Sequence, residues 1–247
     1  MIDGVGSAVL LACDEVSCAY GQHVALKPVR VSIGAGEFVG VVGPSGSGKS
    51  SLLRVLSGAM PPASGVLRVK GDKPLRALLV RQEDPLFPWM TALDNACFGL
   101  RMLGVPEHDR EREARSLFQR FGLSGFERAY PGQLSAGMKQ RVAVIAGVIS
   151  RPDILLMDEP FGALDYSMRE HLQNELLQLW PASGAAVVFV THDIDEAVLL
   201  CDRVYVLRGT PGEISAEIIV DLPRPRQIDS PEFFAVRRKI LKAGGVP

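Results

Sequence analysis

The stretch Gly43-Pro44-Ser45-Gly46-Ser47-Gly48-Lys49-Ser50 fits the pattern GxxxxGK[ST] at every fixed position. Glycines let the backbone come close to a bound group, so that several N–H donors can converge on one phosphate chain. Lys49 supplies a point charge for phosphate oxygens, and Ser50 supplies a hydroxyl for Mg²⁺. An apolar run, residues 37–42, precedes the stretch, and leucines at helical spacing follow it. This strand–loop–helix context favours a phosphate-binding loop over the alternative, a chance glycine-rich turn.

A second chemical signal is the run Ile154-Leu155-Leu156-Met157-Asp158-Glu159. A buried strand that ends in two acids places them at the edge of the sheet where ligands of α/β proteins bind. Because successive side chains of a strand point to opposite sides, the two carboxylates can have different roles. We expect Asp158 to hold Mg²⁺ and Glu159 to polarise an attacking water. The alternative is an acid pair that caps the next helix.

The composition sets the class of protein. The 247 residues suffice for one large α/β domain, alone or with a smaller subdomain. Apolar residues make up 47% and charged residues 22%, as in an ordinary folded domain. The net charge of −1 argues against a nucleic-acid partner. No segment reaches the roughly 18 apolar residues that a membrane-spanning helix needs, and the opening residues lack the basic region of a secretory signal.

The four cysteines, Cys13, Cys18, Cys97 and Cys201, are far apart and form no CxxC pair. This spacing predicts neither a zinc site nor a disulfide framework and favours a reducing compartment. We expect Cys13 and Cys18 to be small apolar residues of a strand.

The order of apolar patterns predicts three regions. The first third reads as strands followed by the helix after the loop, and residues 91–151 read as helices. The last third returns to apolar runs that alternate with helices, which indicates a mostly parallel sheet covered on both faces. A tail from residue 211 contains a possible helix, residues 231–242. Its basic residues form either a solvated face or a contact with lipid headgroups.

The segment Leu134-Ser135-Ala136-Gly137-Met138-Lys139-Gln140-Arg141 indicates a second anion site. Ser135 is a good N-cap, and the free N–H groups of a helix start bind anions. A chain with its own phosphate loop has no evident use for this site unless it serves the nucleotide of another chain. The segment resembles the LSGGQ-type signature of the ABC ATPase family, in which the signature of one protomer closes over the ATP of its partner.

Other motifs of that family follow in the expected order over nearly the whole chain. Tyr20 resembles the aromatic residue that stacks on adenine, Gln82 the Q-loop glutamine, Ala163-Leu164-Asp165 the D-loop, and His192 the switch histidine. Singly, Tyr20 and His192 fit a packing role as well, but the ordered set does not fit coincidence. The resemblance implies catalytic roles for Glu159, His192, Lys49 and Gln82, and a Mg²⁺ site of Ser50, Gln82 and Asp158. It implies ATP contacts by Tyr20, Gly43, Pro44, Ser45, Gly46, Ser47, Gly48, Lys49, Ser50, Ser51, Ser135, Gly137, Met138 and Asp165.

The signature departs from the family pattern at two positions. Ala136 stands where glycine is usual, and Met138 stands where the glutamine of LSGGQ would be, as is common among importer subunits. Ala136 matters only if its position requires a positive φ, where a methyl group costs about 1 kcal/mol. We expect Ala136 to be tolerated.

Two segments resemble the nitrate, sulfonate and taurine importer branch of the family. They are residues 86–100, with Leu86-Phe87-Pro88-Trp89-Met90-Thr91, and Val220-Asp221-Leu222-Pro223-Arg224-Pro225-Arg226. Within the first, Phe87 to Met90 would dock a coupling helix of the permease, although ordinary packing of the helical subdomain is the alternative. The stretch 60–80 is shorter than is usual for the branch.

The resemblance implies a P-loop NTPase fold of RecA-like type, with a mostly parallel sheet core, an antiparallel β part and a helical subdomain. We expect a nucleotide-binding core from residues 1–90 and 152–220, a helical subdomain from 91–151 with the signature, and a tail from 221–247. The expected function is ATP hydrolysis by a homodimer that drives uptake of a small solute, such as nitrate, sulfonate or taurine.

The implied partners are two integral membrane permease subunits and, indirectly, an extracytoplasmic substrate-binding protein, with no nucleic acid. The implied location is peripheral, on the cytoplasmic face of the inner membrane. The alternatives are export or lipid handling, a soluble ABC ATPase of repair or translation, and a nucleotide-binding module without turnover. Intact Lys49, Asp158, Glu159 and His192 argue against the last.

Overall fold

A computed structural model describes residues 9–71, 74–83 and 85–245 of the chain. The first eight residues, Asp72, Lys73, Asp84 and the last two residues, which fall within the ranges predicted from the sequence, lie outside the described residues. In chain order, the strands and helices are β1 (Val9–Tyr20), β2 (His23–Gly34), β3 (Phe38–Val42), α1 (Lys49–Leu56), β4 (Ser64–Val69), β5 (Ala77–Val80), α2 (Ala92–Met102), α3 (Glu107–Arg120), α4 (Ala136–Ile149), β6 (Ile154–Asp158), α5 (Tyr166–Ser183), β7 (Ala186–Thr191), α6 (Ile194–Leu200), β8 (Arg203–Arg208), β9 (Glu213–Ile219) and α7 (Pro231–Ala243).

These elements belong to two compact units, one of residues 1–77 and 186–247 and the other of residues 78–185. In the first unit, β3 pairs in parallel with β7 on one side and β8 on the other, and β9 pairs antiparallel with β8. All residues of β3 and β7 are buried, as expected for parallel strands that are covered on both faces. A separate antiparallel sheet has the order β2-β1-β4.

The register of the parallel strands positions two loops. Val42, the last residue of β3, is paired with Thr191, the last residue of β7. Residues 43–50 therefore leave the sheet beside His192, because parallel strands end at the same edge.

The second unit contains α2 to α5 and the neighbouring strands β5 and β6. The apolar residues of 107–121 recur at helical spacing, which predicts one buried face. The structure confirms this face: Ala114, Leu117, Phe118 and, just past the end of α3, Phe121 are buried. Asp158 is the last residue of β6, and Glu159 follows it directly. Both acids therefore lie at the end of a buried strand, as the sequence predicts.

The fold that the sequence predicts is confirmed: parallel strands, an antiparallel sheet and a helical part are all present. The division into a core, a helical subdomain and a tail at residues 90, 151 and 220 stays a prediction. No helix in the described part of the chain has both the length and the apolar character needed to cross a bilayer.

Candidate functional site

The loop between β3 and α1 has the geometry of a phosphate cradle. Gly48 begins α1 with φ 84°, and an added Cβ there would lie 2.6 Å from the Ala25 carbonyl oxygen, so only glycine fits. Gly48 has no side chain to cap the helix, and the first N–H groups of α1 have no intrahelical acceptors. The start of α1 is therefore a set of N–H donors suited to an anion.

Lys49 completes this set of donors. Its ammonium group donates to the carbonyl oxygens of Gly43 and Pro44, each over 2.9 Å, and the residue is only 6% exposed. The cation is thus held over its own loop. Ser50 is half-buried. Backbone N–H groups and one ammonium can donate hydrogen bonds to phosphate oxygens, and the Ser50 hydroxyl oxygen can bind Mg²⁺, so the residues fit ATP.

Tyr20 is tied to the helix that follows the loop. Its hydroxyl lies 3.1 Å from Ser51 Oγ and accepts a hydrogen bond from Arg54 Nη1 over 2.9 Å. The residue is 44% exposed, so it is not a core side chain. Arg54 was not predictable from the sequence, because a single exposed arginine on a helix carries no local signal.

His192 is exposed and lies directly after β7. It lines one cavity of about 240 Å³ together with Gly43 and Pro44 of the loop and with Ile240 and Leu241 of α7. The structure thus brings His192 and the start of the phosphate loop together in the first unit.

In the second unit, Gln82 and Glu159 are in contact. Gln82 Nε2 donates to Glu159 Oε2 over 3.3 Å. Glu159 has φ 47°, a left-handed conformation that non-glycine residues rarely adopt. Gln140, which is buried in α4, donates to the carbonyl oxygen of Arg81 over 3.4 Å. The helix of the signature segment is therefore bonded to the residue just before Gln82.

The signature segment begins α4 as the sequence predicts. Ser135 is the N-cap, and its hydroxyl accepts a hydrogen bond from the Met138 N–H over 3.2 Å. Ala136 is exposed and helical and is not among the residues with positive φ, so its methyl group causes no strain.

Gly137 packs against the segment 163–165. A Cβ at Gly137 would lie 2.8 Å from Leu164 Cδ2 and 3.2 Å from the Ala163 carbonyl oxygen. Asp165 caps α5 by accepting a hydrogen bond from the Met168 N–H over 3.0 Å. Burial lowers the pKa of the Arg141 guanidinium, and the negative charge of Asp165 opposes that shift. The structure therefore joins the signature segment to the predicted D-loop.

An exposed aromatic platform follows Gln82 in sequence. The ring centroids of Phe87 and Trp89 are 5.5 Å apart, and Trp89 is 70% exposed. Asn95, only 4% exposed, accepts from the Phe87 N–H over 2.7 Å and donates to the carbonyl oxygens of Phe87, Met90 and Thr91. This side chain holds the platform in one conformation, a role that the sequence analysis did not assign to it.

The strand–loop–helix geometry around Lys49 defines a P-loop NTPase. The family model described as "ABC transporter" matches residues 26–162. The chain belongs to the ABC transporter family.

Three relatives have names that agree with the predicted importer branch. The chain is 41% identical to a nitrate import ATP-binding protein of Synechocystis sp., over 89% of this chain and 84% of that protein. It is 40% identical to an aliphatic sulfonates import ATP-binding protein of Bacillus licheniformis, over 88% and 86%. It is 41% identical to a taurine import ATP-binding protein of Burkholderia pseudomallei, over 87% and 85%. The resemblance found in the sequence is therefore confirmed.

Among solved structures, the chain is similar to a dimeric ATP-binding cassette in a post-hydrolysis state bound to ADP and Pi. The TM-score is 0.75 and the identity is 29%, with 87% of this chain and 100% of that chain covered. Together, the family and the fold identify the chain as an ATP-binding subunit with ATPase activity.

Proposed function

We propose that two copies of this chain form a dimer with two Mg-ATP sites, each of which joins residues 43–50 of one chain to residues 135–138 of the other. The single observation that carries this proposal is the start of α4. Ser135 is exposed and caps a helix start there, in a chain that already has a phosphate loop on α1. A second helix N-terminus with an anion-binding sequence has a use when it faces the nucleotide of a partner chain.

Within each site, the residues have separate roles. The N–H groups of α1 and Lys49 bind the phosphates, and Tyr20 stacks on adenine. Ser50, Gln82 and Asp158 would hold Mg²⁺, which neutralises phosphate charge when it is bound. Glu159 orients and polarises the attacking water and is itself held by Gln82. His192 contacts the terminal phosphate. Closure of the dimer by ATP and its reopening after hydrolysis then act as a two-state element.

The dimer acts at the cytoplasmic face of the membrane on two permease subunits. The support for this part of the proposal is the platform of Phe87 and Trp89. Trp89 is a large aromatic side chain in water, held on a loop that Asn95 fixes with four hydrogen bonds. Exposed aromatic side chains on a rigid support are typical of the central contacts of protein interfaces.

The cargo is a small solute, and the relatives favour one that carries an anionic group. Their names specify import of nitrate, aliphatic sulfonates and taurine. The residues that select the solute lie on the permease and on an extracytoplasmic binding protein rather than on this chain. Identification of the permease therefore leads to the cargo.

The test is recovery of the full-length tagged chain from gently solubilised membranes of the native host, with partners identified by mass. The expected result is a permease with several spans, and loss of this permease when the bait carries Trp89→Ala. Recovery of ribosomes, DNA or soluble proteins alone would move the ATPase to one of the alternative roles.

A further inference from the structure

The short helix α6 begins two residues after His192, and its first turn is bonded to both neighbours of that residue. Thr191 Oγ1 accepts from the Asp193 N–H over 3.0 Å and donates to Glu196 Oε2 over 2.6 Å. Asp193 Oδ1 accepts from the N–H groups of Asp195 and Glu196. Thr191 and Glu196 are both buried. The backbone on each side of His192 therefore moves with α6.

The other end of α6 is held by one arginine from the tail. The guanidinium of Arg226, whose side chain is 2% exposed, donates five hydrogen bonds to carbonyl oxygens. Three of these carbonyls are at the end of α6 or just beyond it: Val198 at 2.7 Å, Leu199 at 3.3 Å and Cys201 at 2.6 Å. The last carbonyls of a helix lack partners within the helix, and a cation there is favoured by the helix dipole.

A second arginine connects this helix end to the strand before the phosphate loop. Arg224 donates to the Leu200 carbonyl oxygen and pairs with Asp202 Oδ1 over 2.6 Å. The other carboxylate oxygen of Asp202 accepts from the N–H of Phe38, the first residue of β3, over 3.0 Å. The segment 220–226 therefore bonds the end of α6 directly and β3 through Asp202. These are the two elements from which His192 and the phosphate loop extend.

We propose that Arg226, assisted by Arg224, is a positioning residue that fixes α6 and so holds His192 in place beside the phosphate loop. This proposal rests on the proposed role of His192 at the terminal phosphate. Five hydrogen bonds from one planar guanidinium fix its orientation, whereas an apolar side chain could fill the same space without fixing the helix. Burial disfavours the charged form of Arg226 and therefore lowers its pKa to about 10.

The test compares Arg226→Met and Arg226→Lys in the full-length protein. We expect Arg226→Met to lower kcat by about tenfold or more, as displacement of a catalytic group does, while the Kd for ATP changes by less than about threefold. Arg226→Lys retains the positive charge but can form fewer hydrogen bonds, so its kcat should lie between those of Arg226→Met and the wild type. Hydrogen exchange should become faster in residues 194–201 of the Met variant.

Two controls separate positioning from general stability. The first is Arg203→Met, which removes another buried arginine, paired with Glu37 and Glu217, and should leave kcat within about twofold. The second is a double-mutant cycle with His192→Ala. If Arg226 acts through His192, Arg226→Met should have no further effect on kcat in that background.

Three results would overturn the proposal. The first is a folded Arg226→Met protein with wild-type kcat, and the second is a fall in kcat of equal size with and without His192. If Arg226→Met does not fold, Arg226→Lys carries the same cycle, and additivity there overturns the proposal equally. The third is wild-type kcat in His192→Ala alone, which would refute the proposed role of His192 and with it the positioning claim. If only the positioning role of Arg226 is wrong, His192→Ala should still have a reduced kcat.

Discussion

Gln82 Nε2 donates a hydrogen bond to Glu159 Oε2 across 3.3 Å, and the Glu159 backbone has φ 47°. Two constraints therefore place this carboxylate: a side-chain partner and an unfavourable backbone conformation at the end of β6. A left-handed conformation costs a non-glycine residue about 1 kcal/mol. Such strain tends to occur at functional sites, where the surrounding structure enforces it. It supports the role that the proposal gives to Glu159.

Glu159→Gln should retain ATP binding and lose turnover. An amide oxygen can still accept from Gln82, but it cannot polarise water as a carboxylate does, and we expect kcat to fall by about 100-fold or more. The measurements are phosphate release and equilibrium binding of ATP, with the oligomeric state followed in the same samples. Glu83→Gln, at an exposed acid nearby, is the control and should keep wild-type kcat. Undiminished turnover in Glu159→Gln would remove this residue from the catalytic role.

The backbone strain at Glu159 gives a second prediction. Glu159→Ala and Glu159→Gly both remove the carboxylate, but only glycine adopts a positive φ without cost. The Gly variant should therefore be more stable than the Ala variant by about 1 kcal/mol. Unfolding in guanidinium chloride measures this difference. An Ala variant as stable as the Gly variant would show that the strain is absent.

Gly137→Ala should damage both packing and turnover. The added methyl group would lie 2.8 Å from Leu164 Cδ2 and 3.2 Å from the Ala163 carbonyl oxygen, so the Leu164 side chain must move and the backbone at Ala163 must shift by a few tenths of an ångström. Overpacking of this kind costs about 1–3 kcal/mol, and the shift should displace the residues proposed to face the partner's ATP. Phosphate release and thermal unfolding report the two effects separately.

The neighbouring position is the matched control for Gly137→Ala. Ala136 is exposed and helical, and Ala136→Gly should change kcat by less than about twofold, since no positive φ is relieved there. A more than tenfold rise in turnover would show that Ala136 restrains the signature segment.

The sequence predicted the elements because apolar periodicity is a local property. The continuous apolar run of residues 187–190 was sufficient to predict β7. The helical spacing of apolar residues in 107–121 was sufficient to predict α3 and its buried face. Tyr20, Lys49, Ser135 and His192 were found by motif order, and the structure places each of them at the end or the start of a regular element.

The contacts that hold these residues were not predictable in the same way. Asn95 and Arg226 donate to backbone carbonyls of other segments. The sequence does not distinguish such a residue from a polar residue that faces solvent on a helix or in a loop. The contact between Gly137 and Leu164 depends on packing between segments that are distant in the chain. The positive φ of Glu159 has no compositional signal, since glutamate does not favour that conformation.

Alkaline pH should destabilise the protein through its buried thiols. Burial raises the pKa of Cys13 from 9.0 to about 12, and the pKa values of Cys18 and Cys97 to about 11. The pKa of Cys201 is raised as well. The stabilising effect of a raised pKa is complete below the unfolded-state pKa near 9 and is lost as pH rises toward the folded-state value. At pH 10 each thiol ionises in the unfolded chain but not in the folded one. This difference should lower the free energy of unfolding by about 1 kcal/mol per thiol relative to neutral pH.

Cys18→Ala provides the comparison for this pH effect. Cys18 is fully buried in β1, so the variant is less stable at every pH, but it lacks one titrating thiol. Its loss of unfolding free energy between pH 8 and pH 10, with reductant present, should be smaller than that of the wild type by about 1 kcal/mol. Equal losses would mean that Cys18 ionises as readily in the folded as in the unfolded chain.

Trp89→Ala should separate ATP hydrolysis from transport. Trp89 is 70% exposed and contacts Phe87 at a centroid distance of 5.5 Å. We therefore expect its removal to leave the fold and the nucleotide-binding residues unchanged. If the platform docks the permease, the isolated variant should keep its basal kcat. Recovery of the permease and solute uptake should each fall by about tenfold, as expected when a central aromatic side chain of an interface is removed. Met102→Ala, at an apolar residue that is 63% exposed at the end of α2, should retain uptake. A Trp89→Ala subunit that still recovers the permease would place the docking surface elsewhere on the chain.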